Sequence, residues 1–128
     1  DHAPHPAEDK ECEWAGAANG MIGLETALSV VQKTMVDTGL LNWSQVADRM
    51  SITPAKIGRA KGQGIAIAVG APANICIYDP SKNKIVVAEE QISKSKNTPF
   101  VGIDLPGQVR HVFFQGNPTM ISTEMVGR

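Results

Sequence analysis

The sequence predicts a mixed α/β chain, with its helices first and its strands second. Three observations predict it. Leu24, Ala27, Leu28, Val31 and Met35 recur at helical spacing. Asn42 is followed three residues later by Gln45, the signature of a helix start. Beyond Gly62-Gln63-Gly64 the pattern changes to short apolar runs between turn residues.

The first helix is expected from about Ile22 to Thr38. Val30 and Val36 widen its apolar stripe, Glu25 lies in the first turn, and Gly39 supplies a left-handed cap at the far end. The stripe reads as core packing. A second helix begins at the Asn42 cap and carries Val46, Ala47 and Met50. Thr53-Pro54 predicts a fresh start for a short third helix, with threonine as cap and proline in the first turn. The strand candidates are 65–69, 74–78, 84–87, 109–114 and 118–121. Asp79-Pro80-Ser81 and Gln115-Gly116-Asn117 supply turns between them, as in a small antiparallel unit. His111 falls within a strand, and we read it as a strand histidine.

Composition narrows the function. A chain of 128 residues with 42% hydrophobic and 20% charged residues is ordinary globular material. Its net charge of −1 argues against nucleic acid as a partner, which would want a basic face. No apolar run reaches the length of a membrane span, and no signal peptide is recognisable, so a cytoplasmic location is expected. Two cysteines, Cys12 and Cys76, are too few for a disulfide framework, and neither has a CxxC or CxxH partner.

Ahead of the helices stands Asp1-His2-Ala3-Pro4-His5, then a stretch without sustained period to Gly20. Long loops in compact domains are more often functional than not. Carboxylate oxygen and imidazole nitrogen both suit Zn²⁺. A carboxylate beside an activated water can also take its proton and pass it to a leaving group.

The order of motifs adds a resemblance. Asp1-His2-Ala3-Pro4-His5 is followed by Glu8-Asp9-Lys10, then by Gly20-Met21-Ile22-Gly23-Leu24-Glu25-Thr26-Ala27-Leu28, and much later by Ser95-Lys96-Asn97-Thr98-Pro99-Phe100. This succession resembles the C-terminal third of bacterial class I dihydroorotases of the amidohydrolase superfamily, over nearly the whole chain. Glu11-Cys12-Glu13-Trp14-Ala15 resembles actinobacterial versions. The resemblance implies the C-terminal part of a (β/α)₈ TIM-barrel amidohydrolase followed by part of a small β-sandwich. Residues 1–61 would be the last barrel loop and terminal helices, and residues 62–128 the sandwich part.

It also implies roles. Asp1 matches the family's catalytic aspartate, which contacts metal and shuttles a proton. His5 matches a histidine that holds the substrate's carboxylate. Asn19-Gly20 matches the position where backbone groups meet the substrate ring, although many relatives carry an aromatic residue or proline where Asn19 stands. His2 is expected to support the site rather than ligate. The implied cofactor is a binuclear Zn²⁺ site whose other ligands (an H-x-H pair, a carboxylated lysine and two further histidines) all lie upstream. The implied partners are dihydroorotate, N-carbamoyl-aspartate, the missing N-terminal part and a second copy in a homodimer. These 128 residues alone would be incomplete and inactive. Two other readings stand beside this one. They are a hydantoinase or allantoinase type of hydrolase, and a non-catalytic dihydroorotase-like subunit, against which the retention of Asp1 and His5 speaks.

Overall fold

The computed structural model describes residues 2–127. Helices precede strands, as the sequence predicts. The element order is α1 (Ala7–Lys10), α2 (Ala27–Val31), α3 (Trp43–Ala47) and α4 (Thr53–Ile57), then β1 (Ile75–Ile85), β2 (Asp104–Phe114), β3 (Asn117–Ile121) and β4 (Glu124–Met125). The strands form one antiparallel sheet in the order β1-β2-β3-β4.

The first long helix is shorter than its apolar period suggested. It starts at Ala27, and after α2 it widens into a π-helical segment, Gln32–Val36. Gly39 then ends it at φ +77°, the left-handed cap expected there. Its buried polar residues are Thr26 and Gln32, while Leu24 remains 74% exposed and Met35 39% exposed. The expected core stripe is therefore only half covered among the described residues.

Asn42 caps α3 as the sequence requires. Its side chain accepts the Gln45 N–H at 3.0 Å, and the Gln45 side chain accepts the Asn42 N–H at 2.9 Å. Asn42→Ala should cost about 1 kcal/mol, read as a lower midpoint in chemical denaturation. Thr53 does not restart a helix. Helical backbone runs from Trp43 to Ile57 through a π-helical Asp48–Ile52, and Thr53 Oγ1 donates to Asp48 Oδ1 instead of capping. Pro54 is tolerated because it follows a π-helical turn, whose hydrogen-bond ladder is already shifted.

The strands also differ from their sequence outline. Residues 65–69 stay outside the sheet, and 74–78 and 84–87 fuse into one long β1 that ends at Ile85. Asp79-Pro80-Ser81 is a bulge rather than a turn between strands. Asp79 pairs with Gln108 and Asn83 with Pro106, so three residues of β1 stand against Gly107 alone. Asp79 Oδ1 accepts both the N–H and the hydroxyl of Ser81, which is turn chemistry used inside a strand. The same two bonds hold the Asp79 carboxyl below its usual range. Gln115-Gly116 makes the predicted β2–β3 turn, with both residues at positive φ.

Polar contacts join the halves at the bulge. The Tyr78 hydroxyl donates to Gln32 Oε1 at 2.7 Å, within reach also of the Pro106 carbonyl, and Gln32 Nε2 donates to the Pro80 carbonyl. Desolvation pushes the Tyr78 phenol up, keeping it a donor. Trp43 packs against Tyr78 with ring centroids 5.5 Å apart. The buried apolar side chains are Ile22, Val46, Val86 and Leu105.

Candidate functional site

Two stretches far apart in sequence meet at one end of the chain. One is residues 2–26; the other, residues 87–101, connects β1 to β2. Val86 and Ile103 close that connection by a backbone hydrogen bond, and Gly102 N–H returns to the Val86 carbonyl. The stretch expected to lack helix contains the single turn α1, a correction that leaves it mainly loop.

Asp1 lies outside the described residues. His5, Asn19 and Gly20, the other predicted site residues, come together. His5 Nε2 lies 2.8 Å from the Asn19 carbonyl oxygen. A carbonyl only accepts, so Nε2 carries the proton, and Nδ1 is the ring atom left to meet another group. The Gly20 carbonyl accepts from the Lys10 ammonium at 3.0 Å, and the Ala18 carbonyl accepts from it at 2.6 Å. Gly20 itself has φ +99°, and a Cβ there would stand 2.5 Å from the Ala3 Cβ. Only glycine lets the 19–22 backbone lie against Ala3, whose N–H donates to the Met21 carbonyl.

His2 is half-buried, and its Nδ1 faces the backbone N–H groups of Gly23 and Leu24 at 3.2 and 3.4 Å. That nitrogen is occupied in holding the chain ahead of α2. Beside it is an open apolar depression of about 400 Å³ lined by His2, Met21, Leu24, Val30 and Phe100 among others. His111, on β2, accepts at Nδ1 the N–H of Ser122 in the β3–β4 turn, in keeping with the strand role expected of it.

Sequence reasoning missed the residues that fasten this loop. Glu25 accepts the N–H groups of Ile92 and Ser93 at 2.8 and 2.9 Å, instead of serving a helix terminus. Lys96 Nζ binds the carbonyls of Gln91 and Ser93 within its own loop. Ser95 and Asn97 reach across to residues 3–5 and 20–22. Side chain to backbone bonds across 90 residues leave no spacing signal. The only hint in the sequence is a hydroxyl and an amide two residues apart, in a stretch rich in loop formers.

Among the described residues, no group of three or more His, Cys, Asp or Glu side chains could hold a metal ion. They do not make a metal site by themselves. Cys12 and Cys76 are both free thiols, and burial pushes that of Cys76 up.

No family model matches the chain. It is 55% identical to a dihydroorotase of Streptomyces coelicolor over 125 residues, 98% of this chain but 29% of that protein. It is 47% identical to the dihydroorotase of Leifsonia xyli over 94% of its length, and 45% identical to that of Mycobacterium tuberculosis over 93%, in each case 28% of the relative. The chain thus spans less than a third of the relatives it matches. Among solved structures, it resembles an L-hydantoinase of Arthrobacter aurescens at TM-score 0.87 and 32% identity, covering 98% of this chain and 29% of that one. A D-hydantoinase of Thermus sp. matches at TM-score 0.86 and 25% identity, covering 100% of this chain and 29% of that one. The chain is a relative of the actinobacterial dihydroorotases, matching one segment of them, with a fold shared by amidohydrolase-type hydantoinases.

Proposed function

We propose that this chain is the C-terminal portion of a dihydroorotase, which reversibly hydrolyses the cyclic amide of dihydroorotate to N-carbamoyl-aspartate. The observation that carries the proposal is 55% identity to a dihydroorotase across nearly the whole chain. In this reading residues 1–61 are the last barrel loop and terminal barrel helices, and residues 62–128 belong to a small β-sandwich. The surface supports a larger body. The chain exposes 8964 Å², against roughly 6,600 Å² for a compact monomer of this mass. An apolar groove of about 880 Å³ between the helices and the sheet, lined by Trp43, Met50, Ile65 and Cys76 among others, is surface that such a body would cover.

Hydrolysis adds water across a ring C–N bond: the carbonyl carbon gains a hydroxyl and the nitrogen a proton. Asp1 is the residue we assign to carry that proton, as a carboxylate that accepts it from water and returns it to the departing nitrogen. The zinc pair of the family would be held mostly by residues beyond this chain, and when bound it would activate water and polarise the ring carbonyl. His5 is assigned to the substrate's carboxylate. With Nε2–H on the Asn19 carbonyl, Nδ1 is the ring atom left to face that carboxylate, and it donates to an anion only when the ring carries a hydrogen on both nitrogens. Asn19 and Gly20 shape the adjoining wall, their carbonyls turned to His5 and Lys10.

His5→Ala in the longer enzyme should raise KM for dihydroorotate about tenfold, with kcat within about threefold, because a carboxylate contact serves ground and transition states alike. Steady-state kinetics in both directions check it, and a collapsed kcat at unchanged KM would move His5 into the chemistry. The hydantoinase-like folds support a second reading, hydrolysis of a hydantoin-type ring. Turnover compared on dihydroorotate, hydantoin and allantoin decides between them.

A further inference from the structure

We propose that Ser95 and Asn97 are positioning residues for substrate binding, a clamp from the β1–β2 connection that fixes His5 through its backbone. Ser95 Oγ accepts the His5 N–H at 3.0 Å, and its single hydroxyl proton lies between the His5 carbonyl and Asn97 Oδ1. Both backbone groups of His5 therefore meet one side chain. Asn97 completes the arrangement. Its Nδ2 donates to the Ala3 carbonyl at 2.9 Å and lies 3.4 Å from the Gly20 carbonyl, while its backbone carbonyl accepts the Ile22 N–H at 3.3 Å. One amide residue thus ties together the segment bearing His5 and the segment bearing Asn19 and Gly20.

The geometry of the His5 ring depends on both ties. The imidazole is held at its far end by the Asn19 carbonyl and at its near end by a backbone set by Ser95. Either end shifting by an ångström moves Nδ1 off a ligand. A misplacement of about 1 Å can cost about 10²-fold in activity even when the mutation lies away from the reacting atoms. The connection is itself braced, since Glu25 binds Ile92 and Ser93 and Lys96 binds the carbonyls of Gln91 and Ser93. The clamp therefore ties the chain just ahead of α2, through Glu25 and the braced connection, to the loop that carries His5.

The inference rests on the dihydroorotase reading for its kinetic form, and the experiment separates the two. The longer protein is assayed with dihydroorotate as Ser95→Ala, Ser95→Thr and Asn97→Ala, each alone and combined with His5→Ala. Ser95→Ala and Asn97→Ala should raise KM about tenfold with little change in kcat, and Ser95→Thr should stay within about threefold of the parent. Neither single variant should raise KM further once His5 is alanine. Multiplying effects in the double variants, or an unchanged KM in Ser95→Ala, would overturn the clamp. If Asn97→Ala does not fold, Ser95→Ala alone carries the kinetic test. A parent inactive on dihydroorotate counts against the dihydroorotase reading, and the clamp is then judged by nuclear magnetic resonance. The His5 ring resonance, identified by its loss in His5→Ala, should move in Ser95→Ala while that of His111 stays. An unmoved His5 resonance overturns the clamp.

Discussion

Asp1→Asn, introduced into the longer enzyme, is expected to lower kcat by about 10²- to 10⁴-fold while leaving the folded protein intact. Asp1 lies outside the described residues, and its expected role follows from the chemistry of the reaction. Opening a cyclic amide needs a proton taken from water and one given to the ring nitrogen, or the nitrogen departs as a poor anionic leaving group. A carboxylate performs both transfers in turn. An amide of the same size accepts hydrogen bonds but cannot take and return a proton at neutral pH. Loss in both directions should be similar, since the same group acts as base in one and acid in the other. Turnover within tenfold of the parent in either direction would remove Asp1 from the role of shuttle. A protein that also lost its thermal transition would show instead that Asp1 supports the loop.

What was legible in the sequence is mostly what is local. The Asn42 cap could be read because both of its bonds lie within four residues. The Gln115-Gly116 turn was readable for the same reason, two adjacent residues supplying positive φ. The bulge was not. Asp79-Pro80-Ser81 carries turn chemistry, and the chain uses it to expel three residues from a strand that then continues. Whether such a triplet ends a strand or bulges it is decided by the partner strand, here by Gly107, 26 to 28 positions away. Residues 65–69 have strand propensity without pairing in the sheet, and Ile67 is left 84% exposed. Apolar alternation proposes a strand, but backbone partners make one.

The site divides along the same line. His5, Asn19 and Gly20 are site residues that the resemblance implies, and they prove to be neighbours. Ser95 and Asn97 belong to the matching run 95–100 without an implied role, yet they hold His5 in place. Their work is done on backbone groups, and such contacts set no requirement on the residue type at the other end. Nothing at positions 3, 5 or 20 announces that an amide from the sheet half will arrive there.

The largest expected loss of stability is at Gly107, and Gly116 provides the control. Both have nearly the same backbone, φ +80° and +82°. An alanine Cβ at Gly116 meets nothing within 4 Å, so Gly116→Ala should cost only the left-handed backbone, about 1–2 kcal/mol. At Gly107 the same Cβ would fall 1.6 Å from the Tyr78 hydroxyl oxygen and 2.5 Å from Gln32 Oε1. Tyr78 must then swing away, breaking its bond to Gln32, or β2 must leave the bulge. Overpacking adds about 1–3 kcal/mol to the backbone cost, and a buried Gln32 oxygen losing its donor adds about 1–3 more. Gly107→Ala should therefore lose at least about 2 kcal/mol more than Gly116→Ala, measured from urea midpoints in the same protein. The damage should also reach the site. Gln32 lies on the helical stretch that follows Glu25, whose carboxylate braces the connection carrying Ser95 and Asn97. Equal losses at the two glycines would mean that Tyr78 yields freely, and that the bulge does not lock helix to sheet.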